Sequence, residues 1–165
     1  MPDKKLLSQK LLYNQYIKPH FIGLNSIVSH KIDIADLINI SDTINLREKA
    51  QELQHKPLYE FEIPFTEKKT IKFDNFLQAL HEQNDQPVLV WIKHTIDCGA
   101  YKMNSILDLN TQFSFTDPPG DIVVFVTNDN KDKLLLDCYV NQDGEEMLLI
   151  EIQGDNWINS ARDFT

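Results

Sequence analysis

Glycine is scarce in this chain, with five among 165 residues, and cysteine scarcer still, with two. The glycines stand alone at positions 23, 99, 120, 144 and 154. They form no Gly-x-Gly-x-x-Gly and no Walker-type Gly-Lys-Ser/Thr loop, so a backbone cradle for phosphate is not expected. No Gly-x-Ser-x-Gly elbow presents a hydrolase nucleophile. Cys98 and Cys138 cannot build a disulfide scaffold, and they read as two buried free thiols of a reducing compartment. Long apolar runs are missing too. The longest strongly apolar stretches, Val88 to Ile92 and Ile122 to Val126, reach five residues, where a membrane span needs about 20. Near the N-terminus, Lys10, Asn14, Gln15 and Lys18 interrupt any signal-like run. These absences predict a cytoplasmic protein with no membrane partner.

What is present fits a folded domain. Hydrophobic residues make up 42% of the chain and charged residues 25%, too apolar for disorder. The length predicts a single domain over residues 1–165 that buries a core without metals or disulfides. The formal net charge is −9, unevenly spread. Residues 1–31 hold five lysines against one acid, whereas residues 117–165 hold eleven acids against three bases. An acidic field repels nucleic acid and anionic membranes, and it draws in basic partners.

The pattern changes period along the chain. Leu6, Leu7, Leu11, Leu12, Tyr16 and Ile17 form a loose helical stripe that Pro19 is expected to end. Residues 33–40 suit either a short helix or a strand. Ser41 or Asp42 offers an N-cap to a second helix with Leu46, Ala50 and Leu53 on one stripe, closed by Pro57. Tyr59, Phe61, Ile63 and Phe65 alternate with Glu60, Glu62 and Pro64, as in a half-buried strand that ends near the proline. Asp74 can cap a short helix carrying Phe76, Leu77 and Leu80. Alternation over Val88 to Cys98 predicts a strand with His94 and Cys98 on its more apolar face. Asp117-Pro118-Pro119-Gly120 marks a break, and strands follow at Ile122 to Thr127, Leu134 to Val140 and Met147 to Ile152.

The register of the last pair can be derived. A two-residue Asp-Gly loop would mix apolar and acidic residues on both faces. A three-residue loop, Gln142-Asp143-Gly144, pairs Cys138 with Leu148, Leu136 with Ile150 and Leu134 with Ile152, and gives one clean apolar face. The order of elements predicts an α+β fold, with N-terminal helices packed on one face of a mostly antiparallel sheet ending in a C-terminal β-meander. The helical part spans about 3–56 and the sheet-rich part about 58–157.

No catalytic constellation emerges. On a strand, His94 and Cys98 would lie about 13 Å apart, too far to share one ion; a core histidine and a buried thiol are expected. His20, His30, His55 and His81 are scattered and expected at the surface. Asn128, Asn130 and Asp132 mimic the first ligands of a calcium loop, but Lys133 replaces its glycine and Tyr139 its bidentate glutamate. No cofactor, metal site or catalytic residue is expected.

The acidic C-terminal third carries the functional expectation. Asp129 and Asp132 flank one loop, and Glu145 and Glu146 follow the other. Asp137 and Glu151 lie between them beside Tyr139, Met147 and Leu149, with Asp155 and Trp157 after the last strand. Aromatic anchors among spaced carboxylates suit a basic protein partner. Asp129, Asp132, Asp137, Tyr139, Glu145, Glu146, Glu151, Asp155 and Trp157 are therefore the candidate contact residues. The profile matches a non-enzymatic inhibitor, as a monomer or homodimer. Its most concrete form is a bacterial immunity protein that masks the active or substrate-binding surface of a basic toxin such as a nuclease. The alternatives are a secretion-type chaperone and an enzyme with a dispersed site around His94.

Overall fold

The computed structural model of the chain describes residues 3–114 and 122–160; the Asp117–Gly120 break falls outside them. The fold is α+β. Among the described residues, four helices, α1 (Lys4–Ile27), α2 (Ile40–Ala50), α3 (Ile71–Gln83) and the single turn α4 (Thr95–Cys98), accompany six strands. The strands are β1 (Leu58–Pro64), β2 (Val88–Trp91), β3 (Tyr101–Met103), β4 (Ile122–Thr127), β5 (Asp132–Val140) and β6 (Glu146–Gly154). They form one antiparallel sheet in the order β1-β6-β5-β4-β2-β3.

The meander β4-β5-β6 occupies the centre of the sheet. Its last hairpin has the register that side-chain alternation demands: Cys138 faces Leu148, Leu136 faces Ile150 and Leu134 faces Ile152. Asn141 N–H donates to the Glu145 carbonyl, and Gly144 takes the left-handed φ of +80° required where a type I turn meets a bulge.

Alternation gives the sheet two different faces. The first carries Phe61, Ile63, Ile150, Leu148, Leu134, Leu136, Phe125, Val123, Val90 and Met103. It forms the core with Phe73, Phe76, Leu77 and Leu80 of α3, Leu24 and Ile27 of α1, and Trp157. Among the described residues, the second face is covered only at one end. Leu89 and Val126 point to that side and are buried. There the 3₁₀ turn Gln51–His55 reaches the sheet, with Leu53 buried and Gln153 donating a hydrogen bond to the Lys56 carbonyl at 3.0 Å.

Four local expectations are corrected. Pro19 does not end α1; the helix runs eight residues further, to Ile27. Pro19 is exposed, and so is Gln15, whose carbonyl loses its helical donor and can be hydrated. Burial of His20, Leu24 and Ile27 holds the later turns in place. The strand expected over 88–98 stops at Trp91. The Thr95 hydroxyl accepts from Ile92 N–H at 2.8 Å, Thr95 N–H donates back to the Ile92 carbonyl, and the chain coils into α4. Residues 33–40 resolve into a 3₁₀ turn, Ile34–Asp36, and Asn39 rather than Ser41 or Asp42 caps α2, accepting from Asp42 N–H. Helix α3 begins at Ile71, with Thr70 at its N-cap position and Asp74 within its first turn.

Candidate functional site

The open part of the second sheet face is built by five strands. One transverse row holds Glu60 of β1, Glu151 of β6, Leu135 of β5, Val124 of β4 and Trp91 of β2. The next holds Glu62, Leu149, Asp137 and Ile122, and a third holds Pro64, Met147 and Tyr139. Glu60, Glu62 and Ile122 are exposed, and the rest, Pro64 apart, are half-buried. The face is thus an apolar patch carrying four carboxylates.

Those carboxylates are poorly compensated. Glu60 and Glu151 are direct cross-strand partners, a placement that brings like charges within about 5 Å at Cβ and is destabilising. Among the described residues, neither forms an ion pair. Lys133 lies one row away on the same face and pairs with neither. The ion pairs present, Lys56–Asp155 and His81–Asp85, lie elsewhere. Asp137 is more constrained. One of its oxygens is buried without a hydrogen-bond partner, and burial pushes its pKa above the usual carboxylate range. Beside it, the Tyr139 hydroxyl donates to Glu62, which together with burial pushes the phenol up to about 12. Trp91 adds an indole N–H that is likewise buried and unpaired.

The nine expected contact residues therefore separate. Asp137, Tyr139 and Glu151 come together on this face. Glu145 and Glu146 are exposed at the β5–β6 hairpin end. At the opposite end, Asp155 is exposed and pairs with Lys56 at 3.1 Å, while exposed Asp129 accepts from the Thr127 hydroxyl and Lys131 N–H. Asp132 and Trp157 are fully buried and cannot meet a partner. Asp132 is a structural acceptor: Oδ1 takes the N–H groups of Asn156 and Trp157, and Oδ2 takes the side-chain amides of Asn84 and Asn156. Trp157 joins the core. Glu60, Glu62 and Trp91 are additions to the site. The outward phase of Glu60 and Glu62 is visible in their alternation; the pairing of β1 with β6 is a long-range contact.

The histidines also differ from expectation. His94 lies at the N-cap position of α4, not on a strand, and stacks on Tyr16 with ring centroids 3.9 Å apart and planes 8° from parallel. Cys98 N–H donates to the His94 carbonyl, so these two residues are one helical turn apart. Cys98 is buried, and its thiol is pushed up to about 11 by desolvation, as is that of Cys138. His20, expected at the surface, is buried; its Nε2–H donates to the Gly99 carbonyl at 2.8 Å, and desolvation lowers its pKa and keeps the ring neutral. Among the described residues, no three His, Cys, Asp or Glu side chains converge as a metal site would require. No helix there is long and apolar enough to cross a membrane.

A buried cation stands apart from this face. Lys68 is fully buried in the Phe65–Lys69 turn, and its ammonium donates to the carbonyls of Thr111 and Phe113. It lies 4.2 Å from the Phe113 ring centroid and 5.0 Å from that of Phe65. Burial pulls its pKa down to about 8.

No protein-family model matches the chain, and neither a curated protein nor a solved structure is significantly similar to it.

Proposed function

We propose that the chain is an acidic, non-enzymatic binding protein of the inhibitor kind. Its most concrete form is a bacterial immunity protein that masks the active or substrate-binding surface of a basic toxin such as a nuclease. The observation that carries this reading is the opposed Glu60–Glu151 pair on an open face, with Glu62 and Asp137 alongside and, among the described residues, no side-chain cation paired with either member. Such a face repels itself in the free protein and gains when lysines or arginines of a partner arrive. Nucleases need basic surfaces to hold phosphates, and an inhibitor with fixed carboxylates meets them quickly. Leu135, Leu149, Met147 and Tyr139 supply the apolar and aromatic centre that an interface needs.

The test is capture from the native host by the tagged chain and by a Glu60→Lys/Glu151→Lys variant of unchanged circular dichroism, at low and at high salt. The expected result is a basic protein bound tighter than micromolar at low salt, partly lost at high salt and at least about tenfold weaker with the variant. Equal capture by the variant, or no basic partner of that affinity, would overturn the proposal.

A further inference from the structure

The acidic sheet face has a complement elsewhere among the described residues. Helix α1 buries only His20, Leu24 and Ile27, all in its C-terminal turns. Its first turns project from the body with Leu6, Leu7 and Leu11 exposed at 66%, 51% and 62%. Between Lys4 and Lys18 the helix carries four lysines and no acid, and none of the four forms an ion pair among the described residues. Leu7 and Leu11 lie one turn apart, and 100° per residue carries the same stripe on to Lys18 and exposed Ile22. The result is a basic rod whose apolar stripe of Leu7 and Leu11 is left uncovered among the described residues.

We infer that two copies of the chain associate symmetrically, the N-terminal half of α1 from each lying across the acidic second sheet face of the other. The match is one of charge, shape and polarity. Lys4 and Lys10, which flank the stripe within about 60° of Leu7, meet Glu60, Glu151 and Asp137, and Leu7 and Leu11 meet the patch of Leu135, Leu149 and Ile122. From Lys4 to Tyr16 the helix measures about 18 Å at 1.5 Å per residue, and the strands β1, β6, β5 and β4 together span about 14 Å. One helix end therefore covers the open width. A two-fold axis makes the contact twice, so both surfaces of both copies are used and the assembly closes. Pairing α1 with α1 would oppose lysines to lysines. An anionic membrane would meet the field of a chain whose net charge is −9.

This goes beyond the toxin-binding reading and does not need it, although the two share a face: self-association would hold that face until a more strongly basic partner displaces the helix. The decisive experiment is light scattering coupled to size exclusion on the full chain, at low salt and at about 1 M salt, where the Debye length is only ~3 Å. At low salt the expected mass is twice the 19.2 kDa of one chain, with dissociation at high salt. Lys4→Glu/Lys5→Glu/Lys10→Glu should weaken the dimer at least about tenfold, and it leaves α1 intact because glutamate and lysine have similar helix propensity and the first turn favours acids. Glu60→Lys/Glu151→Lys should do the same, and the five substitutions together should restore dimers by exchanging the charges. A monomer at low salt, indifference to either set, or no restoration in a folded five-fold variant would overturn the inference. The α1 variants leave the sheet face untouched, so their capture of a basic partner reads the toxin-binding proposal independently.

Discussion

Replacing Asp132 tests how the C-terminal end of the sheet is held. Its carboxylate is fully buried and accepts four hydrogen bonds, from Asn156 N–H at 2.8 Å, Trp157 N–H at 2.8 Å, Asn84 Nδ2 at 2.8 Å and Asn156 Nδ2 at 2.9 Å. Four is the full acceptor capacity of an ionised carboxylate. Asp132→Ala leaves two backbone N–H groups and the Asn156 amide without their acceptor, and leaves Asn84 only its longer contacts to Asp129 at 3.3 and 3.4 Å. Each buried donor so orphaned costs about 1–3 kcal/mol, and because the losses share one cavity they do not add fully, so a total of about 3–5 kcal/mol is expected. Asp132→Asn keeps one oxygen for the backbone pair but turns an NH₂ toward two side-chain amides, for about 1–2 kcal/mol. Urea unfolding with an unchanged slope would read both values. For a chain of this length, the alanine variant should melt on the order of 10 °C lower. An Asp132→Ala variant within about 1 kcal/mol of the native protein would refute the reasoning, since it would mean that water replaces the carboxylate freely.

Lys68 makes stability depend on pH in an unusual direction. Its folded pKa, about 8, lies below the ordinary lysine value of 10.5. Below pH 8 both states are charged and the full burial penalty is present. Between about 8 and 10.5 the unfolded chain holds a proton that the folded chain has released, so this residue makes stability rise with pH. Urea unfolding across that window should show the rise in the native chain relative to Lys68→Met; parallel curves would refute it. Two glycines give a contrast in backbone strain. Gly144 has φ +80° with open space around it, so Gly144→Ala should cost about 1 kcal/mol. Gly154 has φ +138°, and a Cβ there would overlap the Lys131 carbonyl and the Asp132 carboxylate, so Gly154→Ala should cost above about 3 kcal/mol. Equal midpoints in urea would contradict this.

Where side-chain period alone decides, the fold is legible. β1 and the β5–β6 hairpin follow from alternation, and the hairpin register follows because a one-residue slip would bury acids. The alternation past Trp91 misleads because a single hydroxyl, that of Thr95, accepts the next backbone N–H and turns the chain before the pattern ends. Pro19 misleads for the opposite reason: the local penalty is real, but tertiary burial at positions 20, 24 and 27 exceeds it. The spacing of Tyr13, Tyr16, His20, Leu24 and Ile27 carried the signal of a longer helix. In the candidate site, the half-apolar face of β5 and β6 is legible, with Asp137, Tyr139 and Glu151 on it. The opposed glutamates are not, since Glu60 and Glu151 meet only through a pairing across some ninety residues of chain. Burial of Asp132 and Trp157 is likewise a long-range result, because it depends on Asn84 and α3 closing over the chain end.

That same distant pairing shapes how the chain comes to its final form. β4, β5 and β6 join through short connections and can assemble early, whereas β1, separated in sequence from β6 by β2, β3, β4 and β5, must find the outer side of β6 across that whole length of chain. Closing so long a loop is slow relative to hairpin formation. Until it happens, β6 offers Met147 to Gln153 as an open hydrogen-bonding edge, able to accept an extended segment from another molecule. Arrival of β1 seals that edge, and the same step brings Glu60 opposite Glu151. The strand that ends the exposure of the nascent sheet is therefore the one that charges its surface.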